Sequence, residues 1–215
     1  MKFEDFIYIK KKTLTKDFCN HCIEKFEKDH RVTPGKMGKG VDLDIKRSMD
    51  LPIDSFPQWK DEVKVFEESL EKHYENYVGK FLPKEYQQFL YGQSIGFQIQ
   101  KTSPGEFYKW HHDSINERIV TYIWYLNDVE HDGYTEFNCG IKIKPKAGKI
   151  VLFPATWHYI HRGYPPKKET KYICTGWMYP PRQSILSDPT IISLSELTHS
   201  KDHKSSNPSL QSLDP

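Results

Sequence analysis

The stretch YKWHHD, residues 108–113, decides how the rest of this 215-residue chain is interpreted. Its first residue is the last of the segment 97–108. The aromatic and β-branched residues of that segment predict strand structure on either side of a Pro-Gly turn. On a strand, alternate side chains project to the same face, so His111 and Asp113 could bind one metal ion while His112 points away. The pair alone is a weak signal, because His-x-Asp arises often by chance in a chain with ten histidines.

A third ligand must come from a distant segment, and residues 157–163, WHYIHRG, contain two candidates. We favour His161 over His158 because of its spacing to Lys171, ten residues further on. Two imidazoles and one carboxylate on one face of an octahedral ion form the ligand set of non-haem Fe(II) oxygenases. That set leaves coordination positions open for reactants, whereas a structural zinc site closes them.

Lys171 opens the run 171–178, which alternates like a strand buried on one side, and residues 163–168 read as a turn. This pattern predicts that His161 and Lys171 lie on neighbouring antiparallel strands. A lysine inside an apolar barrel is costly unless it meets an anion. The far carboxylate of 2-oxoglutarate would be such an anion, and the alternative is a solvated lysine on an edge strand.

Several further motifs follow in a fixed order. They are Tyr108-x-x-His111-x-Asp113, Arg118-x-x-Thr121-x-x-x-Tyr125-Leu126-Asn127, Gly133-x-Thr135-x-Phe137, Pro145-x-x-Gly148-x-x-x-x-Phe153, His161-x-Gly163, Lys171 and Trp177. With them, residues 90–180 resemble the 2-oxoglutarate/Fe(II)-dependent dioxygenase superfamily, and within it the prolyl 4-hydroxylase-like group. The His-x-Gly match is a second reason to prefer His161 over His158.

The resemblance implies a mainly β fold with an α buttress. Its core would be a double-stranded β-helix, the cupin-like jelly roll, with N-terminal helices packed on one sheet. We therefore expect one dioxygenase domain over residues 1–182, with a helical part at 1–91 and the jelly roll at 92–182. The polar composition of residues 183–215 predicts a peripheral, partly disordered tail.

The resemblance also implies roles for individual residues. The implied iron ligands are His111, Asp113 and His161, and the implied cosubstrate-binding residues are Lys171, Tyr125 and Thr121. The candidates for the substrate pocket are Tyr108, Trp177, Arg118 and Arg162. The implied cofactors are Fe(II), 2-oxoglutarate and O2, with ascorbate as a candidate reductant. Without the resemblance, the Tyr and Trp residues would be interpreted as ordinary core or rim aromatics.

The chain departs from the family pattern in two places. Lys101-Thr102-Ser103 stands where a tyrosine is often found, and Asp132-Gly133 replaces a usual Gly-Gly pair. Both positions lie near the entrance for cosubstrate or substrate in the family. They therefore leave the identity of the substrate open.

Composition argues against several other classes of protein. The net charge of +2 makes nucleic acid an unlikely partner, and no stretch approaches the roughly 18 apolar residues of a membrane span. The N-terminus has no apolar signal segment, so we expect a cytoplasmic protein. We also expect a monomer or a homodimer. Cys19 and Cys22 satisfy C-x-x-C, but their helical spacing with neighbouring apolar residues predicts reduced thiols that face a core.

The remaining elements follow from periodicity. We predict an N-terminal strand within 6–12, a helix at 16–29 capped by Thr15, and an amphipathic helix at 58–79. A long loop at 31–57, with a short strand around 44–51, is a candidate substrate lid. A short helix is predicted at 83–91. Further strands are predicted at 118–126, 141–144 and 149–153.

Three functions compete at this point. The first is hydroxylation of a prolyl residue in a peptide or protein, with release of succinate and CO2. The second is hydroxylation of a free amino acid, another small metabolite or a nucleobase. The third is a metal-binding jelly-roll module without catalysis, which the complete ligand set and Lys171 argue against.

Overall fold

The computed structural model describes residues 2–38, 40–84 and 94–180. By its internal contacts the chain divides into two units, Met1–Pro181 and Arg182–Pro215. The tail predicted at 183–215, and all but the start of the helix predicted at 83–91, lie outside the described residues. No helix of the described chain is both long and apolar enough to cross a membrane.

Two helices and eleven strands form the described chain. The helices are α1 (Lys16–Glu27) and α2 (Lys60–Phe81). The strands are β1 (Tyr8–Lys10), β2 (Thr33–Pro34), β3 (Met49–Pro52), β4 (Ser94–Thr102), β5 (Tyr108–His111), β6 (Val120–Tyr125), β7 (Thr135–Phe137), β8 (Lys142–Ile143), β9 (Lys149–Pro154), β10 (His161–Gly163) and β11 (Lys171–Met178). Short 3-10 turns occupy Phe3–Phe6, Ile53–Ser55 and Pro57–Trp59.

The strands form two antiparallel sheets. The larger has seven strands in the order β1-β9-β6-β11-β4-β3-β2, and the smaller has four in the order β5-β10-β7-β8. The fold is therefore mainly β with few helices, as the sequence predicts. The predicted strands at 118–126, 141–144 and 149–153 correspond to β6, β8 and β9.

The seven-stranded sheet is buried on both faces, which explains the continuous apolar character of β6. Trp124 and its alternate neighbours pack into the core shared with the helices, whereas Ile123 and Tyr125 belong to a second core on the opposite face. All six residues of β6 are buried. A strand with two buried faces has no polar side, so its sequence is continuously apolar and does not alternate between apolar and polar residues.

The two helices cover the outer face of this sheet. Thr15 caps α1 by accepting a hydrogen bond from the Phe18 amide at 3.2 Å, as predicted. From α2, Phe66 is fully buried and stacks on Phe97 of β4, with ring centroids 6.0 Å apart. Because this ring fills the helix–sheet interface, its truncation to alanine would cost about 3–5 kcal/mol. Cys19 and Cys22 are free and fully buried here.

Gly176 lets the central strands approach closely. A Cβ atom at this position of β11 would lie 2.2 Å from the carbonyl oxygen of Gly96 and 2.2 Å from the hydroxyl of Tyr122. Neither β4 nor β6 could remain in register beside a larger residue.

The predicted long loop at 31–57 is partly ordered as sheet. Strands β2 and β3 extend the large sheet beyond β4, so the segment has a fixed path along this edge. The predicted strand at 44–51 is wrong in its bounds, because regular pairing covers only Met49–Pro52. Before it, Lys46 makes an isolated bridge to Tyr108, which attaches the segment to the edge of β5.

Another prediction is wrong in its topology. His161 and Lys171 were expected on neighbouring antiparallel strands, but β10 belongs to the small sheet and β11 to the large one. The residues between them carry the chain from one sheet to the other, so the two side chains line one cavity from different sheets. A turn-like sequence does not reveal whether the chain stays in its sheet after the turn.

Candidate active site

The pairing of β5 with β10 brings the first two candidate ligands together. His111 ends β5 and His161 begins β10, and the two are direct partners across the strands. Their ring centroids are 4.2 Å apart. Asp113 lies two residues beyond the end of β5 and is buried. Of the two residues predicted to share one strand, only His111 therefore lies on it.

The three side chains converge on one point. Asp113 Oδ1 lies 4.0 Å from His111 Nε2, and Asp113 Oδ2 lies 3.7 Å from His161 Nε2. One ligand atom from each residue falls within 4.8 Å of the others. Two imidazole nitrogens and one carboxylate oxygen on one side of a common point could hold a divalent ion with open positions on the other side.

Backbone carbonyls set the tautomers of both histidines. His111 Nδ1 lies 2.8 Å from the Lys109 oxygen, and His161 Nδ1 lies 2.9 Å from the Tyr159 oxygen. A carbonyl only accepts, so each Nδ1 must carry the hydrogen, which leaves each Nε2 lone pair facing Asp113. Burial lowers the pKa of His111, so this ring is neutral and able to coordinate.

Asp113 is held as a carboxylate. Burial opposes its charge, but the neighbouring His161 and a hydrogen bond from Thr121 outweigh burial and lower the pKa of the carboxyl. Thr121 Oγ1, on β6, donates to Asp113 Oδ2 at 2.7 Å. The Trp177 indole N–H also favours the charged form, although this buried nitrogen makes no well-formed hydrogen bond. We therefore treat Trp177 as an electrostatic neighbour of Asp113.

The competing histidine lies elsewhere. His158 is exposed, and its ring stacks on the exposed Trp157 with centroids 3.7 Å apart. The structure thus brings His161, and not His158, to the other two candidate ligands.

Lys171 is buried in the wall of the cavity beside these ligands. Its side chain is only 4% exposed, and in the described part of the chain its Nζ forms no ion pair and no hydrogen bond. Burial lowers the pKa of Lys171 to about 8. An unpaired ammonium of this kind fits an anionic ligand that enters the cavity, because such a ligand would offset the cost of burying the charge.

The two other residues implied in cosubstrate binding are already engaged within the protein. The hydroxyl hydrogen of Thr121 is donated to Asp113, and that of Tyr125 is donated to Thr135 Oγ1 at 2.6 Å. Tyr125 is fully buried, and burial raises the pKa of its hydroxyl. Thr135 lines the cavity with Lys171, so its hydroxyl is the group of this pair that could reach a ligand.

Three of the four predicted pocket residues line the cavity, which has a volume of about 650 Å³. Tyr108 stacks on His111 with centroids 3.5 Å apart, and the Arg118 guanidinium lies 3.5 Å above the Trp177 ring.

The fourth candidate, Arg162, does not line this cavity. Its guanidinium binds Glu136 at 2.6 Å and stacks on Trp110 at 4.5 Å, and it is not part of the cavity wall. On β10, Arg162 follows His161 directly, so it projects to the opposite face.

Sequence reasoning missed a polar wall of the cavity. Gln98, Gln100 and Thr102 alternate along β4 and line the cavity, while Phe97 before them and Ile99 between the two glutamines fill the helix-side core. This alternation of apolar and polar residues is the period-two signal of a strand with two different environments. If the polar positions had been assigned to the inside of the protein and not to solvent, this alternation would have identified the cavity wall.

A buried ion pair was also missed. Lys46 Nζ lies 2.6 Å from Asp50 Oδ2, and both side chains are almost inaccessible. Asp50 accepts further hydrogen bonds from Ser48 at 2.8 Å and Gln98 at 2.9 Å. Lys46 also lies 5.2 Å above the Tyr108 ring, so this cluster supports the side of the cavity next to His111.

Comparison with known proteins agrees with this geometry. Residues 97–179 match the sequence model of the 2OG-Fe(II) oxygenase superfamily. No curated protein matches the chain. The matched residues include all three candidate ligands and Lys171.

Solved structures of prolyl hydroxylases share the fold at low sequence identity. A Pseudomonas putida prolyl-4-hydroxylase is 16% identical, with a TM-score of 0.63 over 81% of this chain and 92% of that one. A Trichoplax adhaerens prolyl hydroxylase, solved with a hypoxia inducible factor peptide fragment, is 16% identical, with a TM-score of 0.68 over 81% and 83%. A viral collagen prolyl hydroxylase from Paramecium Bursaria Chlorella virus-1, solved with 2OG, is 19% identical, with a TM-score of 0.57 over 83% and 97%.

Residues 97–179 are thus similar to the 2-oxoglutarate/Fe(II)-dependent dioxygenase superfamily, and the fold of the chain is similar to that of the prolyl hydroxylases. The recognition made from sequence is confirmed. The cofactors of this class of enzyme are Fe(II), 2-oxoglutarate and O2, as predicted.

Proposed function

We propose that this dioxygenase hydroxylates a prolyl residue within a peptide or protein. The observation that supports the proposal is the placement of Lys171, which is buried and has no ion pair or hydrogen bond among the described residues, in the same cavity as the converging His111, Asp113 and His161. We further propose that residues 1–182 form one dioxygenase domain. Its two antiparallel sheets would be the halves of a double-stranded β-helix.

The three converging side chains would hold the iron. The histidine Nε2 atoms face the carboxylate because their Nδ1 atoms are engaged by the backbone, and Thr121 orients Asp113 from behind. When bound, Fe(II) with 2-oxoglutarate and O2 supplies the oxidation that converts a C–H bond into an alcohol and releases succinate and CO2.

The protein would bind and orient the cosubstrate through Lys171. A dicarboxylate has one carboxylate for the metal side of the cavity and a second for the Lys171 ammonium. Thr135 is placed to donate to that second carboxylate, since its Oγ1 already accepts the Tyr125 hydrogen and its own hydrogen is free to point into the cavity. In this proposal Tyr125 orients Thr135 through that hydrogen bond.

The size and opening of the cavity support a polymer as substrate. Its wall extends from buried residues such as Thr121 to side chains on the protein surface, among them Trp110 and Ile115, which are 44% and 46% exposed. A free amino acid would leave this outer wall uncovered, whereas a peptide would cover it while one side chain reaches inward. The structural neighbour solved with a peptide fragment has the same fold, which supports this reading.

Succinate release tests the proposal. Purified protein with Fe(II) and 2-oxoglutarate should release more succinate when proline-containing peptides are present, and mass spectrometry should find one added oxygen atom on the prolyl residue. Free proline and other free amino acids serve as the comparison. Stimulation by a free amino acid and by no peptide would replace this proposal with a metabolite hydroxylase.

A further inference from the structure

The described residues that line the cavity carry a strong excess of positive charge. Five are basic, namely Lys36, Lys46, Arg47, Arg118 and Lys171, whereas Asp113 alone is acidic. The whole chain has a net charge of only +2. Positive charge is therefore concentrated at the cavity, where it acts on whatever enters.

The inner charges already have partners. Asp113 is one of the candidate metal ligands. Under the proposed function, Lys171 binds the cosubstrate. Lys46 is neutralised by Asp50 at 2.6 Å in a buried cluster. None of these three groups is left to select a substrate.

The outer charges have no acidic partner. In the described part of the chain, Lys36, Arg47 and Arg118 form no ion pair, although both arginines are held in place. The Arg118 guanidinium stacks on Trp177 at 3.5 Å, and its Nε donates to the Tyr179 hydroxyl at 3.2 Å. The Arg47 Nε donates to the Leu43 carbonyl at 2.8 Å. Their terminal guanidinium nitrogens remain available to carboxylates.

An apolar rim lies beside these cations. Trp110 and Ile115 are largely exposed and line the cavity. The Arg162 guanidinium stacks on Trp110 at 4.5 Å and is itself bound to Glu136. A large exposed apolar surface beside a cavity is typical of a binding surface.

We infer that the substrate is an acidic peptide segment, in which Asp or Glu residues flank the target prolyl residue. This inference rests on the proposed function and deepens it. The carboxylates would bind Arg47, Arg118 and Lys36, and an apolar side chain next to the target would cover Trp110 and Ile115. Acidic flanks also speed the encounter, because opposite charges steer association at low ionic strength.

Three peptides of one length provide the test. Each has a central proline and one apolar neighbour, with flanks that are acidic, neutral or basic. The acidic peptide should give the highest kcat/KM for succinate release, and added salt should reduce its advantage because exposed charges are screened. Equal rates for all three, or a preference for basic flanks, would overturn the inference while the proposed function stands. If no peptide is hydroxylated, the proposed function itself fails.

Variants of Arg47 test whether this residue produces the preference for acidic flanks. Arg47→Gln should raise KM for the acidic peptide by about three- to fivefold, the size of one exposed ion pair, with kcat and the KM for 2-oxoglutarate unchanged. Arg47→Lys should restore most of the preference, and Arg47→Glu should shift it towards the basic peptide. Lys72→Gln is the matched control, since Lys72 is an exposed lysine of α2 outside the cavity wall. Equal peptide preference in Arg47→Glu and Lys72→Gln would remove Arg47 from substrate selection.

Discussion

Thr121 donates a hydrogen bond to Asp113 across 2.7 Å, joining the large sheet to the carboxylate of the small sheet's metal site. Both side chains are buried, so this bond is shielded from water. The carboxylate is thus oriented by a residue that the sequence pattern had placed with the cosubstrate.

Replacement of Thr121 by valine tests this contact. Valine keeps the shape and the strand preference but removes the hydroxyl, so we expect Fe(II) binding to weaken by about tenfold or more. Equilibrium titration with Fe(II) under anaerobic conditions measures the effect. Thr121→Ser, which retains the hydroxyl, should bind iron almost normally, and equal affinities for the two variants would argue against a positioning role.

The two candidate histidines of residues 157–163 differ in their expected effects. His161→Ala removes a buried imidazole that faces Asp113, so the variant should lose stoichiometric iron and activity. His158→Ala removes an exposed ring stacked on Trp157 and should retain both. Metal analysis of the two purified variants shows which histidine is the third ligand. The reverse result would assign that ligand to His158.

Lys171→Met should separate cosubstrate binding from stability. The KM for 2-oxoglutarate should rise by more than a hundredfold, since loss of one partner of a buried ion pair costs about 3–5 kcal/mol. The cosubstrate-free variant should nevertheless unfold at higher denaturant concentration, because the change removes a buried charge that no acid offsets. From a pKa of about 8 against an ordinary 10.5, the gain near neutral pH is about 3 kcal/mol. A variant that is both less stable and unchanged in KM would contradict this role.

The pKa of Lys171 also predicts a pH dependence. The folded protein releases this proton near pH 8, whereas the unfolded chain holds it up to about 10.5. The unfolded state therefore binds more protons between these values, and the free energy of unfolding of the cosubstrate-free protein should rise with pH across that window.

Cosubstrate affinity should move in the opposite direction. The ammonium is the form that attracts a dicarboxylate, so the KM for 2-oxoglutarate should increase as pH rises above about 8. Lys171→Arg keeps its charge throughout this range, so this variant should lose that dependence even if its absolute KM differs. A pH-independent KM in the unsubstituted protein would show that Lys171 does not bind the cosubstrate.

Local patterns in the sequence determined much of this protein. The cap at Thr15 and the helical period of residues 58–79 each depend on neighbours close in the chain, and the structure agrees with them. Side-chain chemistry also restricted the metal and its cosubstrate, because imidazole, carboxylate and a buried ammonium suit few other tasks.

Only the tertiary structure decided how these pieces meet. It placed His161 and Lys171 in different sheets, gave the Thr121 hydroxyl to Asp113, and moved Arg162 away from the cavity to Glu136. It also buried Lys46 against Asp50 and placed Arg47 in the cavity wall with no ion pair among the described residues. The physical reason is that partners across two sheets are chosen by long-range packing and by the need to pair buried charges, and no spacing along the chain records that choice.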